Sequence, residues 1–174
     1  MATGSIPLPI GAAVLPDGTA SNAAPATQRV KSSAATPTPY FLQFAFDAAT
    51  REQVMWGFRM PADYASAPVL KVQYKMASAT SGNVVVEARV AAVSDGDATD
   101  VDAKGFGTAN TSAATAVPAT AGHLDEISLT LTNADSLAAG DFVVLYLARD
   151  AANASDTATG DMEVVGVAVT YTTT

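Results

Sequence analysis

Eleven consecutive residues, Gly140-Asp141-Phe142-Val143-Val144-Leu145-Tyr146-Leu147-Ala148-Arg149-Asp150, limit what this chain can fold into. In an extended backbone Phe142, Val144 and Tyr146 point one way and Val143, Leu145 and Leu147 the other, because side chains alternate across the pleat. Both faces are apolar, so the strand needs cover on both sides. Its β-branched and aromatic content suits a sheet, and the run is too short for a buried helix. A turn signal at residues 138–141 precedes it and a polar loop at 150–160 follows it. The stretch predicts a central strand of a packed two-sheet structure.

Six further segments carry the same period of two. Residues 40–46 set Phe44 and Phe46 against Phe41, and residues 53–60 align Val54, Trp56, Phe58 and Met60 before Pro61 ends the run. Trp56 is the only tryptophan, and on that stripe it reads as core rather than as a ligand platform. Residues 69–76 place Leu70, Val72, Tyr74 and Met76 opposite Lys71, Gln73 and Lys75. A hairpin with residues 83–93 is expected next. Residues 124–131 turn Ile127, Leu129 and Leu131 inward, and residues 162–171 align Val165, Val167, Val169 and Tyr171. An eighth strand is expected within 101–107, around Phe106. Short strands, turn signals and no amphipathic helix predict an all-β fold, an antiparallel two-sheet sandwich of jelly-roll type with about eight strands.

The 174 residues make one domain with a sizeable core. Residues 40–174 hold the predicted sandwich, while residues 1–39 differ in texture and hold six of the nine prolines. Proline fixes φ and removes a donor, so this segment is expected to be an extended N-terminal arm. Ile6, Leu8, Ile10, Val14 and Leu15 are too apolar for a plain spacer and suggest a partner-binding strip laid along a neighbouring surface. A loose leader is the alternative. With no cysteine, the fold must hold without disulfides. No secretory leader pattern and no membrane-spanning run is read.

Charge is uneven. Residues 1–94 carry seven bases and five acids, and residues 95–174 carry two bases and twelve acids, for a net charge of −8. Such a surface repels phosphates, so neither nucleic acid nor a membrane is an expected partner. Asp95, Asp97, Asp100 and Asp102 could supply oxygens to a structural Ca²⁺, although the order of an EF-hand is missing. The plainer reading of that stretch is a solvated acidic loop; otherwise no cofactor is expected.

His123, the only histidine, has Asp125, Ser128 and Ser136 near it merely in sequence, and no Gly-x-Ser-x-Gly turn exists. Asp125 and Glu126 are adjacent and would face opposite ways on a strand, so they cannot flank one glycosidic bond. Glu52, Glu87 and Glu163 read as solvent-side. A non-enzymatic protein is expected.

Residues 137–150, the pairs Asp156-Thr157 and Gly160-Asp161, the valine-rich end to Tyr171, and residues 56–61 and 81–86 have the texture and spacing of a known group. In them the chain resembles β-sandwich virion accessory proteins of tailed bacteriophages, capsid decoration proteins among them. The resemblance implies a homotrimer on the capsid surface of a virion, with the major capsid protein as partner, and transfers no functional residue. The competing expectation is a tail or head-fibre domain that binds a surface glycan or receptor, using Tyr64, Phe106 and the loop at residues 151–160.

Overall fold

Alternating apolar residues become strands along nearly the whole chain in the computed structural model, which describes residues 2–19 and 22–174. The strands are β1 (Thr3–Pro7), β2 (Ala26–Lys31), β3 (Tyr40–Phe46), β4 (Gln53–Arg59), β5 (Tyr64–Met76) and β6 (Asn83–Val84). They continue with β7 (Val86–Val93), β8 (Asn110–Thr111), β9 (Thr115–Ala116), β10 (Asp125–Thr130), β11 (Phe142–Arg149) and β12 (Met162–Thr173). One sheet runs β10-β5-β12-β3-β2, with β1 beside the later half of β12; the facing sheet runs β4-β11-β7-β8. A short β6–β9 ladder stands apart. The chain is an all-β antiparallel two-sheet sandwich of jelly-roll type. No helix among the described residues is long and apolar enough to cross a membrane.

Alternation decides which side chains enter the core. Phe44, Leu70, Val72, Tyr74, Ile127 and Val169 of the first sheet meet Val54, Trp56, Val90, Val143, Leu145 and Leu147 of the second, all buried. Phe44 meets the Trp56 ring edge-on at 6.3 Å between centroids, a favoured aromatic geometry. In β12 a bulge between Val164 and Gly166 changes the phase. Val164 therefore faces the core before it and Val167 after it, while Val165, expected on the inward stripe, is only half-buried.

Three expectations are corrected. All seven confidently patterned segments are strands, but the total exceeds eight, and residues 101–103 form a 3-10 turn rather than a strand. The expected hairpin is absent, since β5 and β7 lie in different sheets. Alternation marks a face and says nothing of which neighbour pairs with it.

The third correction concerns the arm. The described part of residues 1–39 carries β1, β2 and a 3-10 turn at Ile10–Ala12, and it is built into the sandwich rather than held out from it. β1 pairs with β12 from Thr3↔Thr172 to Pro7↔Ala168. The Leu8 N–H then donates to the Val167 carbonyl at 2.9 Å, and the Trp56 indole N–H donates to the Pro9 carbonyl at 2.9 Å. Crossing to the other sheet, Val14 bridges Met55, and β2 returns to pair with β3. Leu8 and Ile10 are buried, and Ile6 packs against the same core. Those three are spent on their own subunit because the open side of the sandwich offers unpaired strand edges and apolar surface; Val14 and Leu15 stay exposed. Gly4 is required by this path, since a Cβ there would lie 2.2 Å from the Tyr171 ring.

Removing residues 2–10 should therefore lower stability sharply. Losing the burial of Leu8 and Ile10 against the core costs about 1.5–3 kcal/mol each, before the lost ladder is counted. A urea midpoint equal to that of the full chain would show that the segment is no part of the fold.

Candidate functional site

Strand register writes the outer face of the second sheet as a grid. β11 turns Phe142, Val144, Tyr146 and Ala148 outward. Phe142 lies between Arg59 and Val93, Val144 between Gly57 and Ala91, Tyr146 between Met55 and Arg89, and Ala148 between Gln53 and Glu87. An apolar row thus runs down the middle, with guanidinium groups at diagonal corners. Gly57 leaves the floor beside Phe142 open, since a Cβ there would touch only the Phe142 ring, at 3.8 Å.

The segment after the 3-10 turn Val101–Ala103 lies over this grid. Phe106 meets the Tyr146 ring edge-on at 5.7 Å. The Lys104 ammonium pairs with Asp135 at 2.9 Å, and the Asp135 carboxylate also accepts the Ala92 N–H at 2.8 Å, tying the segment to the end of β7. Three depressions result. One of 310 Å³ includes Arg51, Gln53, Arg89, Phe106 and Tyr146 in its walls. A narrow one of 110 Å³ lies between Phe106, Val101 and Phe142. The third, of 420 Å³, reaches Arg59, Asp95 and Phe142. Neighbouring depressions share Phe106 or Phe142, so they form one groove along β11 with a waist under the 101–106 segment. Phe142 is 45% and Phe106 37% exposed. The expectation that β11 is covered on both faces therefore holds inside the sandwich and only partly outside it.

A charge network stiffens one end. Glu87, expected at the solvent side, is 5% exposed. Its Oε1 accepts Arg51 Nη2 at 2.5 Å and Arg89 Nε at 2.7 Å. Arg51 also donates to Asp150 at 3.1 Å and to the Tyr146 hydroxyl at 3.3 Å. Burial pushes the Glu87 carboxyl up, but the hydrogen bonds from Arg89 and Arg51 outweigh it and hold it below the ordinary glutamate value. At the far end the Arg59 Nε–H donates to the Gly140 carbonyl at 3.1 Å.

The other residues singled out in the sequence lie elsewhere. Asp95, Asp97, Asp100 and Asp102 are exposed, and no group of three or more metal-ligating residues forms among the described residues. Asp97 instead accepts the Ser94 N–H and Asp100 the Asp102 N–H, as turn caps. Val14 and Leu15 remain on the surface at the β4 edge. Of the contacts expected for a glycan binder, only Phe106 lies in the groove. Tyr64 is buried against Tyr171, and the 151–160 loop is anchored by Asp156 to Arg149. Asp125 accepts the Tyr74 hydroxyl and Ser128 the Lys71 ammonium, while His123 is exposed in a turn. Sequence reasoning missed Arg51, Arg59, Arg89 and the open side of Phe142. The one available signal was the outward phase of Arg59 and Arg89 in strands flanking an aromatic row.

No protein-family model matches the chain, and no curated protein matches it. Similar solved structures include the C-terminal family-6 carbohydrate-binding module of a marine laminarinase from Zobellia galactanivorans, at 9% identity and TM-score 0.38, covering 96% of this chain and 99% of that one. A family-27 module from Caldicellulosiruptor saccharolyticus in complex with mannohexaose gives 9% identity and TM-score 0.42, covering 95% and 96%. An arabinose-bound α-L-arabinofuranosidase gives 10% identity and TM-score 0.47, covering 95% of this chain and 22% of that one. The chain thus spans about a fifth of the arabinofuranosidase's length. Likeness at these scores carries no argument about ligand, and the groove stands on its own residues.

The lowered Glu87 value fixes a pH dependence. A depressed carboxyl stabilises the fold fully above its unfolded value, near 4.5, and that contribution is lost as pH falls through the lower folded value. Glu87→Gln should cost roughly 1.5–3 kcal/mol at neutral pH and make the acid limb of stability shallower. Urea unfolding across the acid range tests this; an unchanged limb would leave Glu87 without the role.

Proposed function

We propose that this chain is a non-catalytic carbohydrate-recognition domain that lays a glycan along the outer face of β4, β11 and β7. The supporting observation is the groove itself, with two exposed aromatic rings, Phe142 and Phe106, over an open strand floor and fixed polar groups at its ends. Sugar rings are apolar on their faces and polar at their edges. Aromatic side chains supply the flat apolar surface, and a few placed polar groups supply orientation. Arg51 and Arg89 are held by a buried carboxylate, so little side-chain freedom is left to lose on binding, which favours affinity.

Phe106→Ala and Phe142→Ala should each weaken glycan binding about tenfold or more, as central aromatic contacts do. Both rings are substantially exposed, so stability should change little. Glycan-array screening followed by calorimetry on both variants is the test; a glycan bound equally by wild type and both variants would reject the groove.

A second surface supports a second reading, the virion subunit that grips a capsid lattice. Tyr40, Phe41 and Leu42 are exposed in consecutive positions on the β2–β3 ribbon, and the Arg29 guanidinium lies 5.7 Å from the Tyr40 ring centre. Tyr40 and Leu42 share one face of that ribbon and Phe41 takes the other, so it offers a partner large apolar side chains on both faces. Under this reading, serine at all three positions abolishes co-sedimentation with capsids and leaves glycan binding intact. Undiminished co-sedimentation would remove it.

A further inference from the structure

We propose that the glycan held in this groove is acidic, an oligosaccharide carrying carboxylate or sulfate groups on more than one ring. The inference rests on the glycan reading and goes beyond it by naming the ligand's charge.

The groove turns its donors outward and keeps most of its acceptors beneath them. The Arg89 and Arg51 side chains are 40% and 34% exposed, whereas Glu87, which both of them contact, is 6% exposed. Asp150 takes Arg51 on one oxygen and Asn153 on the other. Asp135 spends its Oδ2 on Lys104 and on the Ala92 N–H. Arg59 is exposed and forms no ion pair among the described residues; its Nε is committed to the Gly140 carbonyl, and its terminal nitrogens are left for a ligand. Asp95 is an exposed carboxylate at the edge of the depression shared by Arg59 and Phe142, and the exposed Asp100 and Asp102 flank Val101 on the same rim, each on a loop outside the row of guanidinium groups. A neutral glycan asks a site for acceptors as well as donors, because each hydroxyl does both. Beside the amides of Asn22 and Gln53, which bond each other, the outward polar groups along β4 and β7 are guanidinium N–H donors, which match oxyanions through short charge-assisted bonds.

Placement sets the minimum size of the ligand. Arg89 stands level with Tyr146 and Arg59 level with Phe142, on opposite sides of β11. Four strand positions separate those levels, roughly 13 Å along the strand, so one monosaccharide cannot reach both. The chain's net charge of −8 opposes an anion at long range. At physiological salt that field is screened beyond about 8 Å, whereas direct guanidinium contacts are not. The local donors therefore decide.

The test uses matched ligands on the full chain: an oligogalacturonate panel against its methyl esters, a sulfated galactan panel against its desulfated forms, and the corresponding monosaccharides. Calorimetry should show the charged oligomers of one or both panels bound at least tenfold more tightly than their neutral partners, and charged monosaccharides bound weakly. Arg59→Gln and Arg89→Gln should each remove most of that preference, bringing the ratio of charged to neutral affinity down towards one. Arg59 lies outside the Glu87 network, so its variant keeps the test valid if Arg89→Gln unfolds. Preference for one panel only identifies carboxylate or sulfate as the recognised group. Equal binding of charged and neutral forms, with loss in Phe106→Ala, would overturn the acidic preference and leave the glycan reading standing. Binding of no oligosaccharide by the folded protein would overturn both.

Discussion

A buried ion pair at the end of β11 holds both the fold and the groove in place. Arg149 follows the inward phase of that strand into the core and is 1% exposed. A lone guanidinium there would cost several kcal/mol. The cost is met because its donors are matched: Nε and Nη2 bond the two Asp156 oxygens at 3.1 and 2.7 Å, Nη1 bonds the Gly160 carbonyl at 2.8 Å, and Nη2 also bonds the Ala158 carbonyl at 2.7 Å. Asp156 further accepts the Val85 N–H at 2.9 Å, at the break between β6 and β7. One pair thus ties the β11–β12 loop across the end of the sandwich and fixes where β7 starts. The Asp150 N–H bonds the Val85 carbonyl at 2.8 Å, which sets Asp150 where it receives Arg51. The face that carries the groove is thereby positioned from the core outward.

The opposite side of the sandwich is closed by the amino-terminal segment. A two-sheet structure leaves strand edges open where the sheets diverge, and exposed edges invite pairing with other chains. Here β1 covers part of β12, residues near Val14 cover the β4 edge, and β2 covers β3. Proline suits this path, because an edge segment needs few donors and a fixed φ lowers the entropy of ordering it. This side of the first sheet then ends at β2, whose Arg29 and Lys31 discourage pairing with a second copy of itself.

Legibility followed the physics of each feature. Period-two alternation reports burial of a face, so all seven strongly patterned strands could be read from Phe44, Trp56, Leu70 and their equivalents. It does not report neighbours, so β5 and β7 were paired wrongly. The arm was misjudged because proline content argues for an extended backbone without saying what it lies against. Only the distant Val167 carbonyl and Trp56 indole reveal that. Glu87 looked like an ordinary outward residue, and its burial depends on Arg51, remote in sequence on the β3–β4 loop. Phe106 was singled out, but a short strand was expected around it where irregular chain instead passes over Tyr146. The groove as a whole was illegible because it joins three strands and two loops through register, which no local pattern encodes.

The charge asymmetry of the sequence changes meaning once the chain is folded. Bases concentrate in the first half and acids in the second, yet β4 and β7 of the first half flank β11 of the second. Arg51, Arg59 and Arg89 are thereby carried to the sides of Phe142 and Tyr146. Several of the later acids are engaged by backbone: Asp97, Asp100, Asp135, Asp141 and Asp156 each accept a main-chain N–H in a loop or at a strand break. A carboxylate so engaged has lost acceptor capacity to a permanent partner. Part of the acidic composition therefore organises loops, while three of the arginines meet on one open face, and a linear imbalance of charge is redistributed by the fold.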